Sequence, residues 1–199
     1  MPDTAPIDAR PRCPWCGSDP LYVAYHDAEW GRPLRDERAL FELLCLEGQQ
    51  AGLSWITVLR KRERYRERFA GFVPEAVAAF SDAQLQEILQ DPGVVRNRLK
   101  VYGIRRNAQA WLRLRAQHGD VVAWLWSFVG GAPQVNRPAS MSDIATTSPA
   151  SDALSKALKK AGFTFVGSTI CYAFLQAAGM VDDHLRDCWR GGAPAAPSR

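Results

Sequence analysis

The chain has 199 residues, 47% of them hydrophobic, which suits one domain with a sizeable core. Its formal charge of +4 and pI near 8.9 favour a polyanionic partner without requiring one, and much of the basic excess is arginine, the better residue for bidentate phosphate contacts. The longest apolar stretch, 163–180, is broken by Gly167, Ser168, Thr169 and Gln176, which excludes a bilayer span; with no charged-then-apolar leader the expectation is a soluble cytoplasmic monomer.

Residues 1–12 and 191–199 are short of periodicity and are expected to be loose tails around one helical domain, 13–190. Asp19 before Pro20 reads as an N-cap with proline at the first helical position, opening a short helix to His26. Asp36 opens a leucine-rich helix to about Glu47. A Gly/Gln turn bracketed by Gly48 and Gly52 follows. The spacing predicts one long helix over 54–69, whose RKRERYRER face is solvated because Glu63 and Glu67 alternate with the arginines. A short helix over 74–80 comes next. Ser81 with Gln84 forms a capping-box pattern for a helix to Gln90. Asp91-Pro92-Gly93 turns the chain, and 97–118 reads as a long helix. The segment 121–129 is apolar, 132–150 is a loop, and helices over 151–161 and 167–178 complete the chain. No period-two alternation and no repeat are present, so the fold class is all-α.

Leu40, Leu43, Leu44 and Glu47 fall on one helical face, so Glu47 points where leucines point. A carboxylate so placed needs donors. Either a neighbouring helix end supplies them, with Trp55 as a core residue, or a planar nitrogen-rich ligand does, stacked on Trp55. Tyr22 and Tyr25 share a face of the first helix, close in sequence to Trp15 and Trp30. Between the helices of 81–118, Gly93 would let backbone amides approach a phosphate at a helix start, with Arg96, Arg98 and Lys100 just beyond. This is similar to the helix–hairpin–helix element of DNA repair proteins, although Val95 stands where that element usually carries a second glycine.

Five cysteines without a secretion pattern point to thiols or a metal rather than disulfides. His184 and Cys188 are spaced to aim at one point from a helical turn. With Cys13 and His26 they make a Cys₂His₂ set, closed and therefore structural. Cys16 is an alternative ligand to His26, and Cys13-Pro14-Trp15-Cys16 is also a possible redox dithiol, disfavoured by the absence of a βαβ setting. His118 ends the long helix, where its charge complements the dipole.

The blocks DPLYVAYHDAEWG (19–31), CLEGQQAGLSWITVL (45–59), ASDALSKALKK (150–160), FVGSTICYAF (165–174) and DDHLRDC (182–188) resemble those of the 3-methyladenine DNA glycosylase I family, from Cys13 to Cys188. The resemblance implies a helix–hairpin–helix glycosylase fold with a zinc clip joining the chain's two ends. It also implies hydrolysis of the N-glycosidic bond of 3-methyladenine in alkylated double-stranded DNA by base flipping, leaving an abasic site. By position, one structural Zn²⁺ would be held by Cys13, His26, His184 and Cys188, with Cys16 a departure from the family pattern. Glu47 would be the catalytic and base-binding acid, joined by Tyr25, Trp55 and Tyr22. The turn bearing Gln49, Gln50, Gly52 and Leu53 would enter the duplex, and Gly93, Arg96 and Arg98 would grip DNA. Related enzymes place an aspartate beyond the hairpin. Here Trp111, Leu112, Arg113 and Leu114 stand there, Asp120 lies past the helix, and no lysine takes a comparable place. A monofunctional enzyme selective for labile adducts is therefore expected, with no membrane or protein partner.

Overall fold

The computed structural model describes residues 9–191, so residues 1–8 and 192–199 of the two expected tails lie outside it. Pro11 and Arg12, assigned to the first tail, are held in place. The Trp189 amide donates to the Pro11 carbonyl at 2.9 Å, and Arg12 makes a forked contact with Asp27.

Among the described residues the chain folds into ten α-helices: α1 (Pro20–Ala28), α2 (Glu37–Gln50), α3 (Trp55–Leu59), α4 (Arg62–Arg68), α5 (Pro74–Ala78), α6 (Asp82–Gln90), α7 (Arg98–His118), α8 (Val121–Ser127), α9 (Pro149–Ala161) and α10 (Ser168–Ala177). Side-chain caps explain most starts. Asp19 accepts from the amides of Leu21 and Tyr22, Asp36 from Ala39, and Asn97 from Lys100. Ser81 and Gln84 form the reciprocal capping box read from the sequence, and Ser148 forms another with Ser151.

The long helix α7 is the spine. Val101, Ile104, Ala108 and Trp111 are buried along one stripe, and α7 packs on α2, α5 and α6. Trp111 meets Phe41 of α2 at 5.3 Å between ring centroids. On its other side α2 packs against α10, which lies on α9. Thus α2, the helix of Glu47, is sandwiched between the spine and the C-terminal helix.

Three features differ from the sequence reading. The helix expected over 54–69 is two, parted at Arg60 and Lys61, where the Lys61 amide reaches back only to Val58. Buried Trp55, Val58, Leu59, Tyr65 and Phe69 keep one helical period across the break, so periodicity conceals it. Second, α2 runs on to Gln50, and Gly48 lies inside it. A Cβ there would sit 3.1 Å from Phe165 Cβ, so close packing requires that glycine, while Gly52 (φ +75°) makes the turn. Third, the loop over 132–150 carries a two-residue strand β1 (Gln134–Val135) that pairs in parallel with β2 (Val181–Asp182). This short ladder leads the chain into His184; the fold remains mostly helical. No helix among the described residues is long and apolar enough to cross a membrane.

Candidate active site

A cavity of about 180 Å³ opens where α1, α2, α3 and α10 converge, walled by Trp15, Tyr22, Tyr25, Trp30, Glu47 and Trp55. Helical spacing on α1 turns both tyrosines to it. The rings brace one another: Trp15 meets Tyr22 and Trp30 edge-on at 5.0 Å each, and Tyr25 lies 5.5 Å from Trp55. This fixes a slot with flat aromatic walls.

Glu47 is 2% exposed and its Oε2 has no hydrogen-bond partner. Of the two readings left open by the sequence, the structure therefore excludes a carboxylate satisfied by a neighbouring helix end. Burial pushes this carboxyl up to about 8. Burial likewise raises Tyr22 to about 12, with the nearby Glu47 charge adding to the effect. An unpaired buried acid beside aromatic faces is a place for a donor-rich or cationic ring.

Behind the aromatic wall, Cys13, His26 and Cys188 bring their ligand atoms within 4.8 Å of one another. His26 Nδ1 contacts Asp27 at 2.8 Å and His184 Nδ1 contacts Asp182 at 2.7 Å. His184 Nε2 is buried without a partner, and its ring lies 5.1 Å from that of His26. Cys13, His26 and Cys188 fit a soft divalent cation; His184, whose ligand atoms fall outside that 4.8 Å group, adds an orphaned imidazole nitrogen close to the His26 ring. Residues 183–185 are irregular and 186–190 form turns and a bend, in place of the expected helical turn. The Cys16 thiol reaches the Cys13 carbonyl at 3.2 Å and stays outside the cluster. A hydrogen bond from Cys13 holds the Cys188 thiol well below the usual range.

A family model described as methyladenine glycosylase matches residues 15–191. The chain belongs to the methyladenine glycosylase family. It is 54% identical over 177 residues to DNA-3-methyladenine glycosylase 1 of Escherichia coli, a match covering 89% of this chain and 95% of that protein. It is 49% identical to the DNA-3-methyladenine glycosylase of Haemophilus influenzae, over 89% of this chain and 96% of the relative. A solved structure addressing 3-methyladenine recognition by the Staphylococcus aureus 3-methyladenine DNA glycosylase I superposes with a TM-score of 0.90 at 40% identity. That match covers 94% of this chain and all of the other.

In this methyladenine glycosylase family member the turn after α2 presents Gly52 and a 41% exposed Leu53 to solvent, while Gln50 borders the cavity. Gln49 does not belong with them. It is 2% exposed, donates to the Lys100 carbonyl and accepts from the Tyr65 hydroxyl, so it is a strut and not a DNA-facing residue. Lys100 Nζ in turn donates to the carbonyls of Gln49 and Ala51 at 2.7 Å each, capping the end of α2. Lys100→Met is expected to destabilise the fold by about 2 kcal/mol, because the carbonyls lose a charged donor; urea denaturation reads this directly.

Gly93 also departs from its assigned role. Its amide donates to Asp91 Oδ1 at 2.7 Å, and a Cβ would fall 2.4 Å from Arg64 Cγ. Its place is set by packing, and its amide is already engaged. Arg96 and Arg98 are exposed beyond it, Arg98 stacking 4.3 Å above the Tyr102 ring. Sequence reasoning noted Trp15 and Trp30 only as neighbours and missed Gln176, which also lines the cavity. The one signal was a glutamine inside an apolar helix.

Proposed function

We propose that the chain is a monofunctional DNA-3-methyladenine glycosylase that flips the alkylated nucleotide into the Glu47 cavity and hydrolyses its glycosidic bond. The observation that carries this reading is Glu47, buried and unpaired in an aromatic slot. An N3-alkylated adenine in DNA is cationic. Stacking on Trp55 would gain it roughly 0.5–2 kcal/mol, and Glu47 would supply the opposite charge. Extrusion costs a few kcal/mol, less for a damaged base. The exposed Leu53 beside Gly52 suits a wedge that occupies the gap, and Arg96 and Arg98 suit phosphate contacts.

The purine cation is a good leaving group. The bond from the sugar C1′ breaks with its electron pair passing to the base, which departs neutral; water then bonds to C1′ and releases a proton to solvent. Among the described residues lining the cavity there is no lysine, and Glu47 is the single carboxylate. That supports hydrolysis of labile adducts with no imine step and no strand cleavage. Cys13, His26, His184 and Cys188 would hold one Zn²⁺, which in a closed four-ligand set supplies structure and no open coordination position. Those residues tie the first segment of the chain to the last and anchor α1, which presents Tyr22 and Tyr25.

Incubating the protein with methylated duplex DNA and identifying the bases set free tests the reading. Release of 3-methyladenine with intact strands is expected, and no release of any base would refute it. Trp55→Ala is expected to slow excision by roughly tenfold, the size of a lost cation–π contact, in single-turnover assays.

A further inference from the structure

Gln176, near the end of α10, lines the same cavity as Glu47. Its Nε2 donates to Asp183 Oδ2 at 2.7 Å. Asp183 is 1% exposed and accepts two further bonds, from the Tyr172 hydroxyl at 2.7 Å and from Asn136 Nδ2 at 2.7 Å. A carboxylate encircled by three donors is an acceptor only, so the Gln176 atom that meets it must be the amide nitrogen. Turning the amide over would set oxygen against oxygen. The partner atom, Gln176 Oε1, makes no hydrogen bond and is not among the buried polar atoms left unsatisfied. It is therefore accessible, on a side chain that borders the cavity. The Asp183–Tyr172–Asn136 network, which also ties the segment after β1 to the residue before His184, holds this amide in one sense.

We infer that Gln176, pinned by Asp183, is a specificity-determining residue that accepts a hydrogen bond from the amino group at C6 of the bound purine and disfavours purines bearing an oxygen there. The inference rests on the glycosylase reading above and deepens it. Glu47, an acceptor when ionised, satisfies the charge of a cationic purine and one donor. A 6-amino group carries two N–H donors, so the choice against a 6-oxo purine is sharpened by a second acceptor of fixed orientation. A 6-amino group satisfies it, whereas a 6-oxo group meets it lone pair to lone pair and leaves both oxygens desolvated. Sites built around a buried hydrogen bond discriminate far better than apolar pockets do. Asp183 is a positioning residue: it lies behind Gln176 and acts through it.

The test is single-turnover excision of 3-methyladenine and 3-methylguanine from duplex DNA treated with dimethyl sulfate. Wild type, Gln176→Leu and Asp183→Asn are compared by the ratio of the two rates. A ratio cancels any loss of folded protein, which a merely structural role would cause. Gln176→Leu is expected to lower the 3-methyladenine rate roughly tenfold and leave the 3-methylguanine rate unchanged or higher. Asp183→Asn frees the amide to turn and should move the ratio in the same direction. Wild-type ratios in both variants would overturn the inference, and Gln176→Leu decides alone where Asp183→Asn does not fold. If wild type releases neither base, the glycosylase reading itself has failed. Quenching of tryptophan fluorescence by free 3-methyladenine and free 3-methylguanine then measures the preference, and equal quenching that Gln176→Leu does not alter sinks it.

Discussion

Glu47→Gln is expected to slow release of 3-methyladenine from alkylated duplex DNA by roughly 100-fold or more, the usual cost of removing a preorganised electrostatic contact to developing charge. The fold should survive, because Glu47 makes no hydrogen bond through Oε2 that the protein needs. Stability should change in the opposite direction. Burial raises this carboxyl from about 4.5 to about 8, so the folded protein holds a proton that the unfolded chain has released across that interval. Its contribution is fully present below the unfolded value and is lost as pH rises through the folded one, at about 1.4 kcal/mol for each pH unit. Urea denaturation at pH 5 and pH 8.5 should therefore show a fall in stability of a few kcal/mol for wild type that glutamine abolishes. The free-enzyme rate constant kcat/KM should rise with pH, reaching half its limiting value near pH 8 as the carboxylate that pairs with a cationic base forms. A flat pH profile, or full excision by Glu47→Gln, would remove the acid from the site.

Placement of Glu47 was legible because Leu40 and Leu44, its neighbours along the stripe, are fully buried. A local period dictates where a side chain points. The same logic brought Tyr22 and Tyr25 to one face, and the caps at Asp19, Asp36 and Ser81 were readable because each is completed within four residues. Local patterns do not say which polar atom is satisfied by a distant segment. Gln49 sits in a Gly/Gln stretch that suggests an exposed turn, yet its partners come from Tyr65 and Lys100. Gly93 looks like a phosphate-binding glycine, but Arg64 and Asp91 occupy the space around it. Gln176 earned no mention as a site residue, because its meaning depends on Asp183, Tyr172 and Asn136 meeting behind it. The break at Lys61 was hidden for the converse reason, an apolar period that continues unbroken across it.

Cys188→Ser is expected to abolish stoichiometric zinc and to remove on the order of 5 kcal/mol or more of stability, a large part of what a domain of this size possesses. The expectation follows from the four donors. His184 Nε2 is buried with no acceptor or donor facing it, a state that costs about 1–3 kcal/mol when nothing compensates it. Asp27 and Asp182 grip the two imidazoles by Nδ1, which directs both Nε2 lone pairs away from the carboxylates, the tautomer a metal requires. Cys13 and Cys188 share a hydrogen bond that a divalent cation would replace by ionising both thiols. Anchoring acts on the cavity through α1, because Tyr25 adjoins His26 and Tyr22 lies one turn before it. The same substitution should therefore weaken binding of free 3-methyladenine, measured by tryptophan quenching, even at temperatures where the chain stays folded. Elemental analysis of the purified wild-type protein should return one zinc per chain. Metal-free protein whose thermal midpoint is unmoved by Cys188→Ser would mean that the four side chains meet for packing alone, and that the aromatic slot holds its shape without them.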